Sequence, residues 1–167
     1  MILFHGGTQI IEHPVVIIAD QGRDFGFAFY TTDIREQAER WARRRARYRS
    51  RITKQEITGV VCEYDFAEDD CGDLSIRRFE EPSLDWIDFV VANRSNLNFR
   101  HTFDLVIGKI ANDRVGETIS YVVQGVMRRE DALERLRFQQ INNQFAFCTE
   151  RAIAKLHYVR SYEVPNV

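Results

Sequence analysis

Residues 142–164 constrain the fold of this chain more than any other segment, because the residue pattern changes twice within them. Phe145 and Phe147 alternate with small or polar residues, which indicates an extended strand with one aromatic face. Thr149 then offers a hydroxyl that suits the N-cap of a short helix. Residues 157–164 are rich in aromatic and β-branched side chains and indicate a second strand. The segment therefore predicts a strand, a short helix and another strand.

Two polar residues near strand ends are the first functional candidates. Gln144 lies close to the start of the strand in residues 142–147. Its amide either meets a backbone partner in the core or belongs to a functional site. His5 ends a short apolar strand and is followed by Gly6 and Gly7, which allow the backbone to come close to a ligand. A purely structural histidine is the alternative interpretation of His5.

The rest of the chain predicts strands and helices without a regular βαβ alternation. This indicates an α+β fold with split, largely antiparallel sheets and flanking helices, in a single domain over residues 1–167. The first helix is expected to bury one apolar stripe with an amphipathic rim, which consists of Ile34, Ala38, Trp41, Ala42, Arg45 and Tyr48. Strands are expected over 1–5, 25–32, 56–66, 74–79 and 104–110, with the last one central, and helices over 34–50, 84–94, 115–124 and 129–138.

Composition narrows the class of protein. The chain has 167 residues, of which 44% are hydrophobic and 29% charged, as expected for a globular domain with its own core. No apolar run approaches the roughly 20 residues that a membrane helix needs, and the N-terminus lacks the pattern of a signal peptide. Three widely spaced cysteines argue against a disulfide framework and against a metal site. We therefore expect a cytoplasmic protein without a bound metal or a membrane partner.

The first predicted helix ends in a run of arginines between residues 43 and 51. Such a run could contact phosphates. It could equally be a solvated helix end, where the helix dipole favours basic residues. The net charge of −2 gives the whole molecule no general attraction for nucleic acid, so composition leaves both interpretations open.

Three separate segments together resemble the NAD-binding core of ADP-ribosyltransferases of the histidine–tyrosine–glutamate type. They are residues 3–6, residues 26–33 running into a helix, and residues 143–147 followed by a short helix and a strand. Their order and spacing both match that core. Over nearly its full length the chain is also similar to an uncharacterised bacterial domain of unknown function that is grouped with these enzymes. Residues 86–94, 104–113 and 142–144 carry that second likeness.

The resemblance implies a role for each matching residue. His5 would bind the adenosine ribose of NAD, and the backbone of Gly6 would hold the nicotinamide amide. Tyr30 would stack on the nicotinamide ring, with Thr31 beside it. Gln144 stands where these enzymes place a glutamate, which binds the 2′-hydroxyl of the nicotinamide ribose.

The glutamine is a departure with chemical consequences. Gln144 can bind a ribose hydroxyl, but it cannot stabilise positive charge or act as a general base. Another carboxylate could compensate, a strong nucleophile could make it unnecessary, or the domain could bind NAD without efficient turnover. Asp113 and Glu150 are the candidate acids, and Asn112 lies beside the first of them. Arg94 could bind the pyrophosphate, or it could be a helix-end cation.

The resemblance implies an enzyme that transfers ADP-ribose from NAD to a protein or nucleic acid. It also suggests a toxin of a toxin–antitoxin or phage-conflict system, with an antitoxin protein as a partner. Two alternatives stay open from the residues. One is a non-catalytic module that binds NAD, another nucleotide or a protein, and the other is an NAD glycohydrolase that uses water as the acceptor.

Overall fold

Two β-sheets and flanking helices form the architecture of the computed structural model, which describes residues 1–18, 22–110, 113–136 and 142–165. The first sheet has the order β1-β3-β7 and the second the order β2-β6-β5-β4. The strands are β1 (Ile2–Gly7), β2 (Phe29–Thr31), β3 (Gly59–Phe66), β4 (Ile76–Phe79), β5 (Leu105–Ile110), β6 (Asn142–Phe147) and β7 (Leu156–Val164). The α-helices in these ranges are α1 (Arg35–Thr53), α2 (Leu84–Ser95), α3 (Asp113–Val123), α4 (Arg129–Leu136) and α5 (Glu150–Ile153).

The pairing within the sheets confirms an α+β fold with two sheets. Every named strand pair is antiparallel except β4 with β5, which run parallel. Strand β5 lies between β6 and β4, as its continuous apolar sequence predicts. Leu105 and Ile107 face one core cluster, and Val106 faces another, so this strand is buried on both faces.

Three apolar clusters fill the space around the sheets. The first lies between them and takes side chains from both, including Leu3, Tyr64 and Phe147. The second packs the other face of the four-stranded sheet against α2, α3 and α4, around Trp86 and Val106. A smaller third cluster packs α1 against β1 and β3. The two faces of β6 thus enter different cores, which is the physical basis of its alternating sequence.

Among the described residues, one isolated bridge joins the two sheets. The backbone N–H of Phe4 donates to the carbonyl of Thr32 at 2.7 Å, and the N–H of Thr32 donates back at 2.9 Å. The prediction of an extended segment from residue 25 is correct only for its second half, because β2 begins at Phe29. Before it, Gly26 adopts a φ of 84° and its N–H donates to the carbonyl of Arg23, which makes a tight turn.

Helix α1 corrects the sequence analysis most clearly. Trp41 and Tyr48, expected to be buried, are 44% and 59% exposed. The buried face consists of alanines at a spacing of four residues: Ala38, Ala42 and Ala46. A Cβ atom on Gly6 would lie 2.1 Å from the carbonyl oxygen of Ala38, so helix and strand backbones are in close contact. Small residues are required there, and the large aromatic residues are excluded from this face.

Two predicted helix caps are confirmed. The Ser83 hydroxyl accepts from the N–H of Trp86 at the start of α2, and the Thr149 hydroxyl accepts from the N–H of Ala152 in α5. Helix α1 extends beyond its predicted end to Thr53, where Lys54 takes a left-handed conformation. No helix in the described ranges is both long enough and apolar enough to span a membrane.

Candidate functional site

The candidate site is the place where β1 and β2 part. Phe4 directs both of its peptide groups towards Thr32 in β2. Because a strand repeats every two residues, Gly6 directs its N–H and C=O to the same side, next to Tyr30. No backbone hydrogen bond joins Gly6 to Tyr30, and none joins this edge of Gly6 to any other described residue. One peptide donor and one peptide acceptor are therefore open at the edge of β1.

The ring of His5 bonds the Tyr30 carbonyl, which Gly6 would otherwise have as its backbone partner. Its Nδ1 lies 2.7 Å from the carbonyl oxygen of Tyr30, and its plane stacks on Phe29 with ring centroids 4.5 Å apart. A carbonyl oxygen only accepts, so Nδ1 carries the proton and Nε2 is the acceptor of the neutral ring. Burial lowers the pKa of His5, the bond to Tyr30 opposes this, and the charges of Arg23 and Arg45 lower it further. The ring is therefore neutral at pH 7.

Tyr30 and Gln144 lie on one face of the second sheet. Tyr30 pairs with Ala146 of β6, and directly opposed residues in an antiparallel pair share a face. Gln144 lies two residues along β6 from Ala146, so it shares that face at a diagonal separation of about 7–8 Å. The structure therefore brings Tyr30 and Gln144 together, with the ring of His5 against the Tyr30 backbone on the other face of β2.

The Tyr30 ring is fixed and lies beside a cation. Its hydroxyl donates to the carbonyl oxygen of Gly26, and the guanidinium of Arg23 lies 5.8 Å from the ring centroid. Burial, with the negative charge of Asp24, raises the pKa of Tyr30 well above its ordinary value. The side chain is thus a neutral phenol that serves as an aromatic face rather than as a base.

Gln144 presents a free amide. It is half-buried, and its side chain makes no hydrogen bond with any described residue. The position opposite it is Thr32, whose hydroxyl donates to Gln37 at 3.1 Å. Gln37 in turn donates to the carbonyl of Asn143 at 3.5 Å, which ties the start of α1 to β6. The interpretation of Gln144 as an amide with a backbone partner gains no support from this arrangement.

Two buried oxygen atoms without partners flank the end of β2. The hydroxyl of Thr31, a residue only 3% exposed, makes no hydrogen bond to the described part of the chain. The carboxylate of Asp33 accepts from the Asn143 amide at 3.0 Å through one oxygen, while its other oxygen is buried without a partner. Such atoms are uncommon in folded proteins and indicate a site that a ligand or water completes. Asp33 is not among the candidate residues that the sequence indicated.

The remaining predicted residues lie apart from this junction or outside the described ranges. Arg94 is paired with Asp24, with 2.6 Å between Nε and Oδ1, and its Nη1 donates to the Gly116 carbonyl at 3.3 Å. It lines a groove next to α2 and α3 and holds residues 22–26 in place. Glu150 is exposed at the start of α5, more than about 10 Å along β6 from Gln144.

Two further candidates cannot be placed by their side chains. Asn112 lies outside the described residues, and Asp113 is the first residue of α3.

Arg23 and Arg45 are functional candidates that the sequence did not reveal. Both guanidiniums lie close enough to lower the pKa of His5, and neither forms an ion pair with a described acid. Only the fold brings a loop residue and a mid-helix residue to the same imidazole.

The junction offers hydrogen-bond donors and acceptors of several kinds. An open peptide N–H and C=O match a carboxamide, a neutral imidazole acceptor and a buried hydroxyl match ribose hydroxyls, and two guanidiniums match a diphosphate. Within the described ranges no group of three or more His, Cys, Asp or Glu side chains could hold a metal ion.

Comparison with known proteins gives one match. The model of the family described as "Protein of unknown function (DUF3990)" matches residues 1–158. No curated protein and no solved structure matches the chain.

Proposed function

From the premise that this chain belongs to the DUF3990 family of proteins of unknown function, we propose that it transfers ADP-ribose from NAD to a macromolecular acceptor. The split sheets are, on this proposal, those of an ADP-ribosyltransferase. The observation that supports it most directly is the open peptide of Gly6. The two strands are bridged at Phe4 and Thr32, and then part where the resemblance puts the nicotinamide amide.

The junction residues would bind the substrate in distinct ways. The Gly6 N–H would donate to the carboxamide oxygen, and the Gly6 carbonyl would accept from the carboxamide nitrogen. The Tyr30 ring offers the face on which nicotinamide stacks. The Nε2 of His5 would accept from an adenosine ribose hydroxyl, which requires the neutral ring that burial favours. Arg23 and Arg45 would neutralise the diphosphate.

The reaction breaks the bond between nicotinamide and the ribose carbon and forms a bond from that carbon to a nucleophilic atom of the acceptor, which gives up its proton. Gln144 orients the ribose by accepting from its 2′-hydroxyl, but it supplies no negative charge. The carboxylate of Asp33 accepts from the amide of Asn143, the neighbour of Gln144 in β6, and its other oxygen is unpartnered. We therefore assign to Asp33 the electrostatic role that glutamate has in the resembling enzymes.

A second candidate function follows from Gln144 alone. An amide at this position suits a module that binds NAD or another nucleotide without turnover. The third candidate function is hydrolysis of NAD, in which water is the acceptor of ADP-ribose. A protein antitoxin that covers the junction belongs to the same proposal, because an active transferase would need to be restrained in its host.

The test combines calorimetry with NAD and the release of radiolabelled nicotinamide in the presence of cell lysate. His5→Ala should lower NAD affinity at least tenfold and abolish release, whereas the exposed His13→Ala should change neither. Gln144→Glu should restore release to a protein that also carries Asp33→Asn, because either carboxylate can supply the charge that stabilises the transition state. Gln124→Glu, an exposed site, is its matched control.

The outcomes separate the candidates. In a parallel assay with NAD labelled in its adenylate phosphate, radiolabelled macromolecules indicate a transferase and free ADP-ribose indicates a hydrolase. Binding without nicotinamide release indicates the module. Asp33→Asn should slow release at least tenfold with little change in affinity, since its role is electrostatic. If NAD fails to bind, or binds His5→Ala and Tyr30→Ala as tightly as the parent protein, the proposed site is wrong.

A further inference from the structure

The positive charge of this protein is concentrated on one helix. The 19 residues of α1 include eight arginines and two glutamates, for a net charge of +6, while the whole chain carries −2. The rest of the chain, taken together, therefore carries a net charge of −8, since −2 minus +6 is −8. A segregation of this size creates a local positive potential that the overall composition conceals.

The exposed side of α1 alternates arginines with apolar rings. Opposite the alanine face lie residues at helical spacings of three or four, and among them Trp41, Tyr48 and Ile52 are 44%, 59% and 62% exposed. The guanidinium of Arg44 lies 5.8 Å from the Trp41 ring centroid. We call this surface the arginine–aromatic face, and it consists of Arg40, Trp41, Arg44, Arg47, Tyr48, Arg51 and Ile52.

Six of the eight arginines of α1 fall into two groups by their contacts. Three on its flanks have partners in the fold: Arg35 pairs with Glu63, Arg43 with Glu39, and Arg49 donates to the Thr8 hydroxyl. On the arginine–aromatic face, Arg40, Arg47 and Arg51 are exposed and pair with no described acid. Stabilisation of the helix does not explain three unpaired guanidiniums on one line beside two exposed rings.

We infer that the arginine–aromatic face binds single-stranded nucleic acid. Arginines contact phosphates while aromatic rings stack on unpaired bases, and this combination characterises surfaces that hold single strands. Trp41 and Tyr48 are seven residues apart, about 10.5 Å along the axis, which matches about three base steps of 3.4 Å. Arg40 to Arg51 covers about 16 Å, enough for about five phosphates.

An acidic protein is the competing partner, and the pattern fits it less well. Arginine and aromatic residues are enriched at protein interfaces too, but the fully buried centre of such an interface carries few charges. Here guanidiniums separate the rings along the whole face. Arg45 lies on the same helix, outside this face, and its charge lowers the pKa of His5. The idea that this face holds an acceptor nucleic acid for modification rests on the proposed transferase activity. Its binding of nucleic acid is tested without NAD and does not depend on that activity.

The chain carries its own probe for stacking. Of the two tryptophans, Trp41 is 44% exposed and Trp86 is fully buried, so only Trp41 can meet a base. Titration with a twelve-residue oligothymidylate should quench the tryptophan emission. With three phosphates neutralised by Arg40, Arg47 and Arg51, affinity should fall about 20-fold between 50 and 200 mM salt, from a slope of about −0.7 per contact.

Matched variants locate the surface. Arg47→Gln with Arg51→Gln should weaken oligothymidylate binding at least tenfold. Arg128→Gln with Arg129→Gln removes the same charge around the start of α4 and should leave binding unchanged. Tyr48→Ala removes an exposed ring and should weaken binding at least fivefold while the circular dichroism spectrum is unchanged. NAD binding by the Arg47 and Arg51 variant should stay intact, so failure of this inference is distinguishable from failure of the proposed function.

Three results would overturn the inference. One is no binding of oligothymidylate at 50 mM salt. Another is that heparin, a polyanion without bases, binds as tightly as oligothymidylate and quenches the tryptophan emission to the same extent. That result would indicate a surface for polyanions in general. The third is tighter binding of polyglutamate than of the oligonucleotide, which would indicate an acidic protein partner.

Discussion

Asp104 offers the sharpest test of the physical reasoning, because one carboxylate ties four elements together. It is 6% exposed at the start of β5. Its carboxylate accepts from the Ser75 N–H at 2.9 Å, from the Thr149 hydroxyl at 2.7 Å and from Arg151 at 2.7 Å. Its backbone carbonyl accepts from the Cys148 N–H at 2.8 Å. The residue thus holds the ends of β6 and α5 against β4.

The lowered pKa of Asp104 gives the size of its contribution to folding stability. Burial by itself would raise that pKa, but the hydrogen bonds from Arg151, Ser75 and Thr149 lower it to about 2, from an ordinary 3.8. A difference of this size corresponds to about 2 kcal/mol of stability. Since the folded-state pKa is the lower one, this contribution is present above about pH 4 and is lost as pH falls towards 2.

Asp104→Asn should therefore lower the free energy of unfolding at pH 7 by about 2–3 kcal/mol. Urea unfolding followed by circular dichroism measures this loss, and repeating it from pH 5 to pH 2 measures the pH dependence. The parent protein should lose about 2 kcal/mol more than the variant over that range. Asp69→Asn, at an exposed position, is the matched control.

The reasoning is refuted if Asp104→Asn unfolds within about 0.5 kcal/mol of the parent at pH 7, the range of an ordinary surface change. It is equally refuted if parent and variant lose stability in parallel between pH 5 and pH 2. Either result would mean that the carboxylate gains nothing from its three donors.

Other predictions concern the thiols, one buried acid and the loop before β2. Burial raises the pKa of all three cysteine thiols, and that of Cys148 to about 12. Because the thiolate is the reactive form, Ellman's reagent at pH 8 should titrate fewer than one thiol per native chain and three after denaturation. The carboxylate of Glu63, a residue only 4% exposed, accepts two hydrogen bonds from Arg160, at 2.8 and 3.0 Å. Glu63→Gln should therefore lower the free energy of unfolding in urea by about 1–3 kcal/mol, whereas the control Glu134→Gln should leave it unchanged. Arg94→Ala frees Asp24 and should speed limited proteolysis within residues 22–28 at least severalfold, and an unchanged cleavage rate would contradict the proposed role of the pair.

The strand and helix pattern was predictable wherever local chemistry decides it. Alternation in β6 follows from its two different cores, and the hydroxyls of Ser83 and Thr149 cap their helices as their positions indicate. The prediction failed in α1, where Trp41 and Tyr48 look like core residues in the sequence. Close contact with Gly6 reserves that face for alanine, and a contact between distant segments leaves no local signal.

The candidate site was likewise predictable only where local sequence determines it. His5, Gly6, Tyr30 and Gln144 were identified from their segments, but their relation to one another depends on the register of strands far apart in the chain. The unpaired peptide of Gly6 and the buried oxygens of Thr31 and Asp33 could not be inferred in advance. Whether a polar group has a partner depends on every element packed around it.

The sequence by itself determined which segments become strands and helices, because periodicity and capping act over a few neighbouring residues. Only the tertiary structure decided where β1 leaves β2, which cations surround His5 and which side of α1 faces outward. Those features arise from contacts between segments distant in the sequence, and free energies of packing and burial, rather than local propensity, determine them.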